Sequence, residues 1–327
     1  MFVSISQTTQ AKHKPCFFEN FFLKGLYFCK IMMYNKNMKL KEMKKQTKAK
    51  KMKIGIAFGG GGTRGFAHIG ALKAFEEEGI HFDEVAGTSV GSIIGALYAY
   101  GLTADEMIEI GKNIKPKSIR NKLLLSDTTS IQELIKQSIG DVLIEELKIP
   151  FTAVAVDIKS GKEVHLTKGS VCQAVAGSCA VPLIFKPVEY KGYRLFDGGL
   201  TNTIPADVLK NNGCDVIISI DVNPTRGVGT ESLKVMDQLN ANLGILMRSN
   251  AIKGKIFSNV CIEPYLKDFK STKMAGYQEM IAIGYQETKN RMPEIKELLK
   301  KQGFWASLFH KNKKKPFEED TQEIIIE

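Results

Sequence analysis

The residues Lys53-Ile-Gly-Ile-Ala-Phe-Gly-Gly-Gly-Gly-Thr-Arg-Gly-Phe66, followed by Glu84-Val-Ala-Gly-Thr-Ser-Val-Gly91, set the architecture of this chain. Lys53–Phe58 is a short apolar run bounded by glycine, the signature of a buried strand. Gly59–Gly65 is a glycine loop. Phe66–Glu78 then repeats Phe66, Ile69, Leu72 and Phe75 at helical spacing, and Gly79 closes it as a C-terminal cap. Glu84–Ala86 reads as a second short strand leading into a turn at Ser89, and Val90–Tyr100 is a nearly all-apolar helix that must be buried. Strand, loop and helix repeated in this order give the rhythm of a parallel sheet covered on both faces.

Outward from this core the pattern continues. Thr103 with Glu106 forms a capping box for another helix, and Ser126–Thr129 opens the next. Phe151–Val156 and Glu163–Leu166 alternate like a hairpin around Ser160-Gly161, Val171–Ser178 is a short helix stopped before Pro182, and Val188–Phe196 is a second hairpin turning at Lys191-Gly192. Pro205 marks a helix start, Gly213 its end, and Val216–Asp221 a buried central strand. A long helix from Leu233 to about Lys253, a strand at Val260–Glu263 and helices from Tyr277 to Lys301 complete one α/β domain over residues 52–302.

The formal charge of +11 is misleading as a pointer to partners. Residues 1–53 hold 13 lysines against only Glu19 and Glu42, which leaves 33 basic and 33 acidic residues in the remainder. A neutral body with no element interleaving basic and aromatic residues offers no nucleic-acid surface. The basic extension 1–51 is rich in aromatics and methionine from Phe17 to Tyr34 but is broken by Glu19, Lys24 and Lys30, so it does not read as a membrane span. It reads as an interfacial anchor, a disordered basic tail or sequence translated from a misplaced start, and Met52 directly before the first strand favours the latter two. Beyond the domain, residues 303–327 form an aromatic and basic tail, then an acidic one. Phe304, Trp305, Leu308 and Phe309 beside Lys311, Lys313, Lys314 and Lys315 suit either a membrane interface or a frayed helix end packing on the body. Six cysteines without a CxxC pair suggest neither a zinc site nor a disulfide framework, and a reducing cytoplasm fits them best.

Three glycine-marked sites stand in order along the domain. Gly59-Gly60-Gly61-Gly62-Thr63-Arg64-Gly65 presents unobstructed backbone N–H groups at a helix start, a binding place for a phosphate or a developing oxyanion. Its Gly60-x-Gly62-x-x-Gly65 spacing also matches a dinucleotide fingerprint whose ribose-binding acid would be Asp83 or Glu84, though these precede their strand. Phe66 stands where a Walker loop requires lysine. The second site is Ser89, in Gly87-x-Ser89-x-Gly91, a nucleophile elbow in which small neighbours permit a sharp strand-to-helix turn. The third is Asp197-Gly198-Gly199, at the end of a hairpin strand. An α/β-hydrolase triad would need a histidine after the acid, where only His310 remains, in a lysine-rich tail; His68, His81 and His165 are poorly placed as a base. Asp197 therefore has to be considered as the direct base for Ser89.

These three motifs, together with Ala176–Phe185, resemble the patatin-like phospholipases, in particular small bacterial esterase-type members, over about residues 53–300. The resemblance implies a three-layer α/β/α fold with a mainly parallel central sheet. It further implies a serine acyl hydrolase of phospholipid or lysophospholipid esters, with Ser89 as nucleophile and Asp197 as proton acceptor. The Gly60, Gly61, Gly62, Arg64 and Gly65 loop would form the oxyanion hole, with neither cofactor nor metal and with peripheral association with the inner membrane face. Arg64 could orient the loop, face a lipid phosphate or pair at the surface. The rival reading is a nucleotide-binding α/β module using Gly60–Gly65 for phosphate.

Overall fold

By its contacts the chain divides into two units, Met1–Lys50 and Lys51–Glu327. A computed structural model describes residues 52–113, 126–223, 232–269, 274–308 and 323–326, all in the second unit. The readings made for 1–51 and for Phe309–Lys315 lie outside the described residues.

The alternation of β1 (Ile54–Phe58) explains the layers. Ile56 and Phe58 enter the larger hydrophobic core and Ala57 the smaller, on the opposite face of the sheet. The larger core is built on the helices α1 (Phe66–Glu77) and α2 (Val90–Tyr100), read in advance from their apolar spacing. Helices α3 (Ala104–Asn113), α4 (Thr129–Ile139) and α5 (Val171–Ser178) add to it. The smaller face, lined by Ala57, Ala86 and Val154, takes the closely packed helices α6 (Ala206–Asn211) and α7 (Val235–Phe257). This is the three-layer α/β/α arrangement expected from the sequence.

Among the described residues five pairings are parallel, four of them along a central run of neighbouring strands. β1 lies between β2 (Glu84–Thr88) and β7 (Val216–Ile220), β2 continues to β3 (Phe151–Asp157), and β7 continues to β8 (Val260–Ile262). The two hairpins add antiparallel pairings: β4 (Lys162–Leu166) on β3, and β5 (Val188–Tyr190) with β6 (Tyr193–Asp197), β6 also pairing with β3. β9 (Glu323–Ile326) joins β4 in the fifth parallel pairing.

Two helices run further than their patterns indicated. α7 ends at Phe257 and not near Lys253. The segment from Tyr277 is a single helix, α8 (Tyr277–Leu308), which passes through Pro293 and across the expected boundary at residue 302. It packs on α1 without side chains at two points: a Cβ on Gly70 would lie 1.9 Å from Ile281 O, and one on Gly284 would lie 2.0 Å from Ala67 O. No helix among the described residues is long and apolar enough to cross a membrane.

Candidate active site

Only Ser89 separates the end of β2 from the start of α2. Its φ of 55° and ψ of −129° place a non-glycine residue where L side chains are strained, by roughly 1–3 kcal/mol. Hydrogen bonds hold it there. Ser89 N–H donates to Ser178 Oγ at 2.9 Å, Ser178 Oγ donates to Val154 O at 2.6 Å, and Ser92 donates to Ser89 O from both Oγ (2.7 Å) and N–H (2.8 Å). The flanking glycines are required sterically, since a Cβ on Gly87 would lie 2.4 Å from Gly91 O and one on Gly91 would lie 2.1 Å from Phe58 O.

The strand register brings Asp197 to this turn. β4 occupies one edge of β3 along Ala153–Asp157. β2 and β6 share the other edge, β2 beside Phe151–Val154 and β6 beside Ala155–Asp157. Their C-terminal ends meet head on, Thr88 opposite Val154 and Asp197 opposite Ala155. Gly198 lets the chain turn away there, because a Cβ would sit 2.3 Å from Val154 O. Asp197 is 1% exposed; its Oδ1 accepts from Gly199 N–H at 2.8 Å, and Oδ2 is left without a hydrogen bond of ordinary geometry. Burial pushes the carboxyl up to about 6, against the opposing pull of the Ser89 hydroxyl and the Gly199 N–H.

The glycine loop closes the third side. A Cβ on Gly60 would lie 3.4 Å from Ser89 Cβ, and one on Gly65 would strike Val90 Cγ2 at 2.2 Å, so Gly60 and Gly65 allow close approach to the elbow. Gly60 N–H, however, already donates to Thr203 O at 3.0 Å. The expectation that Gly60 offers its amide to an oxyanion is corrected accordingly: its contribution is the missing side chain. Gly62, at φ 58°, opens a 3₁₀ turn (Gly62–Gly65), whose first N–H groups have no acceptor within the turn. The Arg64 guanidinium is engaged within the protein: Nε donates to Phe269 O at 2.9 Å and Nη1 to Asn223 Oδ1 at 3.4 Å, while Asn223 Nδ2 donates to Gly60 O at 2.7 Å. Of the three roles open to Arg64, the geometry supports bracing the loop.

The two buried histidines among the described residues have partners of their own. His68 is fully buried and pushed down to about 4 by burial, so it is neutral and donates Nε2–H to Gly59 O at 2.8 Å. His165 pairs with Glu163 Oε1 at 2.8 Å. Burial alone would raise the Glu163 carboxyl, but His165 and Asn202 hold it below the usual range. Asn202 was missed in the sequence, although it stands five residues after Asp197. Its Nδ2 donates to Glu163 Oε1 and Asp207 Oδ1, and its carbonyl accepts from Thr88 Oγ1 at 2.8 Å, tying the Asp197 loop to the elbow. Ser178 was missed as well; it lies within Ala176–Phe185, the segment singled out for its resemblance. The ribose acids of the nucleotide reading are at the wrong end of the sheet. Asp83 accepts from Ile54 N–H at the start of β1, and Glu84 pairs with Gly55, whereas the glycine loop follows the strand's far end.

Serine elbow, buried carboxylate and glycine loop therefore meet at the C-terminal ends of β1, β2 and β6. Residues 56–210, which contain all three, match the family described as patatin-like phospholipase. Residues 56–210 carry a patatin-like phospholipase domain. Its relatives agree: an uncharacterized NTE family protein of Mycobacterium bovis is 33% identical over 178 residues, 52% of this chain and 49% of that protein. A lysophospholipase of Candida glabrata is 30% identical over 257 residues, 74% of this chain and 14% of the other. The chain thus spans about half or less of the length of these curated relatives. Among solved structures, VipD from Legionella pneumophila aligns with a TM-score of 0.44 and 13% identity, covering 74% of this chain and 67% of that one.

Proposed function

We propose that this patatin-like domain is a serine acyl hydrolase that cleaves carboxylic esters of phospholipids or lysophospholipids through a Ser89–Asp197 dyad. The observation that carries the reading is the buried Asp197 Oδ2, without another partner, beside a serine held in a strained elbow. The lysophospholipase among its relatives favours the same substrate class.

Asp197 takes the Ser89 proton as Oγ attacks the ester carbonyl carbon, and the carbonyl π electrons move onto oxygen. The N–H groups of Gly61 and Gly62, beside the elbow at the 3₁₀ turn, receive that oxyanion. Its collapse expels the alcohol, which takes the proton from Asp197 and leaves an acyl-serine. Asp197 then deprotonates a water that attacks the acyl carbon; collapse releases the fatty acid and returns the proton to Ser89. A carboxylate near pKa 6 is a better base than one at the reference value of about 3.9, and the dry setting that raises it also strengthens the hydrogen bond to serine. A cytoplasmic location belongs to the same reading.

Mapping a fluorophosphonate label by mass spectrometry tests the nucleophile. Label on Ser89, with hydrolysis of a soluble nitrophenyl ester abolished by Ser89→Ala and by Asp197→Asn, is the expected result. Label on another serine, or activity surviving both substitutions, overturns the dyad.

A further inference from the structure

Resting on the dyad reading above, we infer that Asn202 is a positioning residue, the point at which the turns carrying nucleophile, base and glycine loop are fastened to one another. Its backbone and that of Thr203 reach all three. Asn202 N–H donates to Gly198 O at 2.8 Å, next to Asp197, and Asn202 O accepts from Thr88 Oγ1 at 2.8 Å, next to Ser89. Thr203 O accepts from Gly60 N–H at 3.0 Å. Thr88, Asn202 and Thr203 are fully buried, so water does not compete for these bonds. The strand register fixes where β2 and β6 end; the Asn202–Thr203 backbone fixes how the turns beyond those ends face each other.

The side chain keeps that backbone in place. Its amide nitrogen spends both hydrogens on buried carboxylates, Nδ2 donating to Glu163 Oε1 on β4 at 3.0 Å and to Asp207 Oδ1 on α6 at 2.8 Å. Reversing the amide would turn its oxygen on both carboxylates, so its orientation is fixed. Each carboxylate has a further partner of its own: His165 Nε2 lies 2.8 Å from Glu163 Oε1, and Lys253 Nζ lies 2.6 Å from Asp207 Oδ2. Asn202 is thus clamped between two elements that take no part in the reaction.

The residue type follows from these partners. An apolar side chain at 202 would deprive two buried carboxylates of a donor, and an aspartate would bring a third negative charge between Glu163 and Asp207. Thr88 needs only its hydroxyl for the tie, so serine there keeps the bond and the isosteric valine removes it. A tie serving stability alone could join any two neighbouring loops. These bonds fall one residue from Ser89, one residue from Asp197, and on Gly60, where a Cβ would lie 3.4 Å from Ser89 Cβ. Loosening them shifts nucleophile against base, and a displacement of about 1 Å can cost about a hundredfold in rate.

The test measures kcat and KM of the full chain on a soluble nitrophenyl ester for Thr88→Val, Thr88→Ser, Asn202→Ala and the double substitution Thr88→Val with Asn202→Ala. Thr88→Val and Asn202→Ala are each expected to lower kcat by about tenfold or more with KM unchanged, while Thr88→Ser keeps the natural kcat. The double substitution should lose no more than the worse single one, because both act through one bond. An undiminished kcat in Thr88→Val overturns the positioning role, as do a Thr88→Ser protein as slow as Thr88→Val and losses that multiply in the double substitution. The two Thr88 variants decide the matter if Asn202→Ala does not fold. Titration of the Asp197 carboxyl by carbon NMR reads the same tie without turnover: in Thr88→Val its midpoint should fall below that of the natural protein as water enters the turn, and an unchanged midpoint overturns the inference. If the natural protein cleaves no ester while this midpoint moves, the hydrolase reading fails and the fastening of the turns by Asn202 stands.

Discussion

Ser89 and Asp197 each occupy an unfavourable state, which the proposed dyad would put to use. The serine backbone is strained, so the elbow should tighten when the strain is relieved: Ser89→Gly is expected to unfold at higher denaturant than Ser89→Ala by about 1 kcal/mol, both being inactive. Urea titrations of the two variants check this, and an Ala variant as stable as the Gly variant would show that the elbow stores no strain. The aspartate is held near pKa 6 and must be ionised to accept a proton. Hydrolysis of a soluble ester should therefore fall as pH drops through about 6 and level off above it, with kcat/KM reporting the free protein. A profile flat from pH 5 to 8 contradicts Asp197 as the base.

At the scale of elements, the crossing of α1 and α8 depends on Gly70 and Gly284, where each backbone touches the other helix. Around the contact, Tyr285 Oη donates to Glu77 Oε2 and both Lys289 and Lys296 pair with Glu78. Those pairs are largely exposed and add little, so the close backbone approach governs the crossing. Gly284→Ala should cost 2 kcal/mol or more by pushing α8 off α1, even though alanine favours a helix intrinsically. Thermal melting distinguishes the outcomes; a variant melting at or above the natural protein would mean that the helices separate freely. Nothing in the local pattern of Gly284 distinguishes it from an ordinary helical glycine, because its contact, Ala67, is more than two hundred residues away.

For the whole molecule, the raised Asp197 pKa is a cost to folding. The native state holds this proton more tightly than the unfolded chain, so stability from this group is intact below the ordinary pKa near 3.8 and is lost as pH rises to about 6. A shift of this size corresponds to about 3 kcal/mol. Asp197→Asn should equal the natural protein in stability near pH 4 and exceed it by up to about 3 kcal/mol at pH 7, measured by denaturant unfolding at both values. A gap independent of pH would separate the stability effect from the ionisation of Asp197.

The legible parts of the molecule are those with local causes. Glycine flanks and helical spacing delimited β1, α1, β2 and α2, and Thr103 with Glu106 forms the capping box they suggested, Glu106 N–H donating to Thr103 Oγ1 at 3.3 Å and Glu106 Oε2 accepting from Thr103 N–H at 2.8 Å. The residues that brace the site were hidden, because Ser178, Asn202 and Asn223 act through partners contributed by other strands and loops. The helices read from Tyr277 to Lys301 form one helix, α8, which passes through Pro293 and packs one side on α1.

The head-on meeting of β2 and β6 along β3 gives the proposed pair, Ser89 and Asp197, a built-in ruler. Their spacing is set by the step from Val154 to Ala155, about 3.3 Å of strand, and not by the long chain that connects them. The intervening loops can therefore lengthen or shorten without moving Ser89 relative to Asp197, while a single residue inserted between Val154 and Ala155 would both separate the two and turn the following side chains to the other face of the sheet.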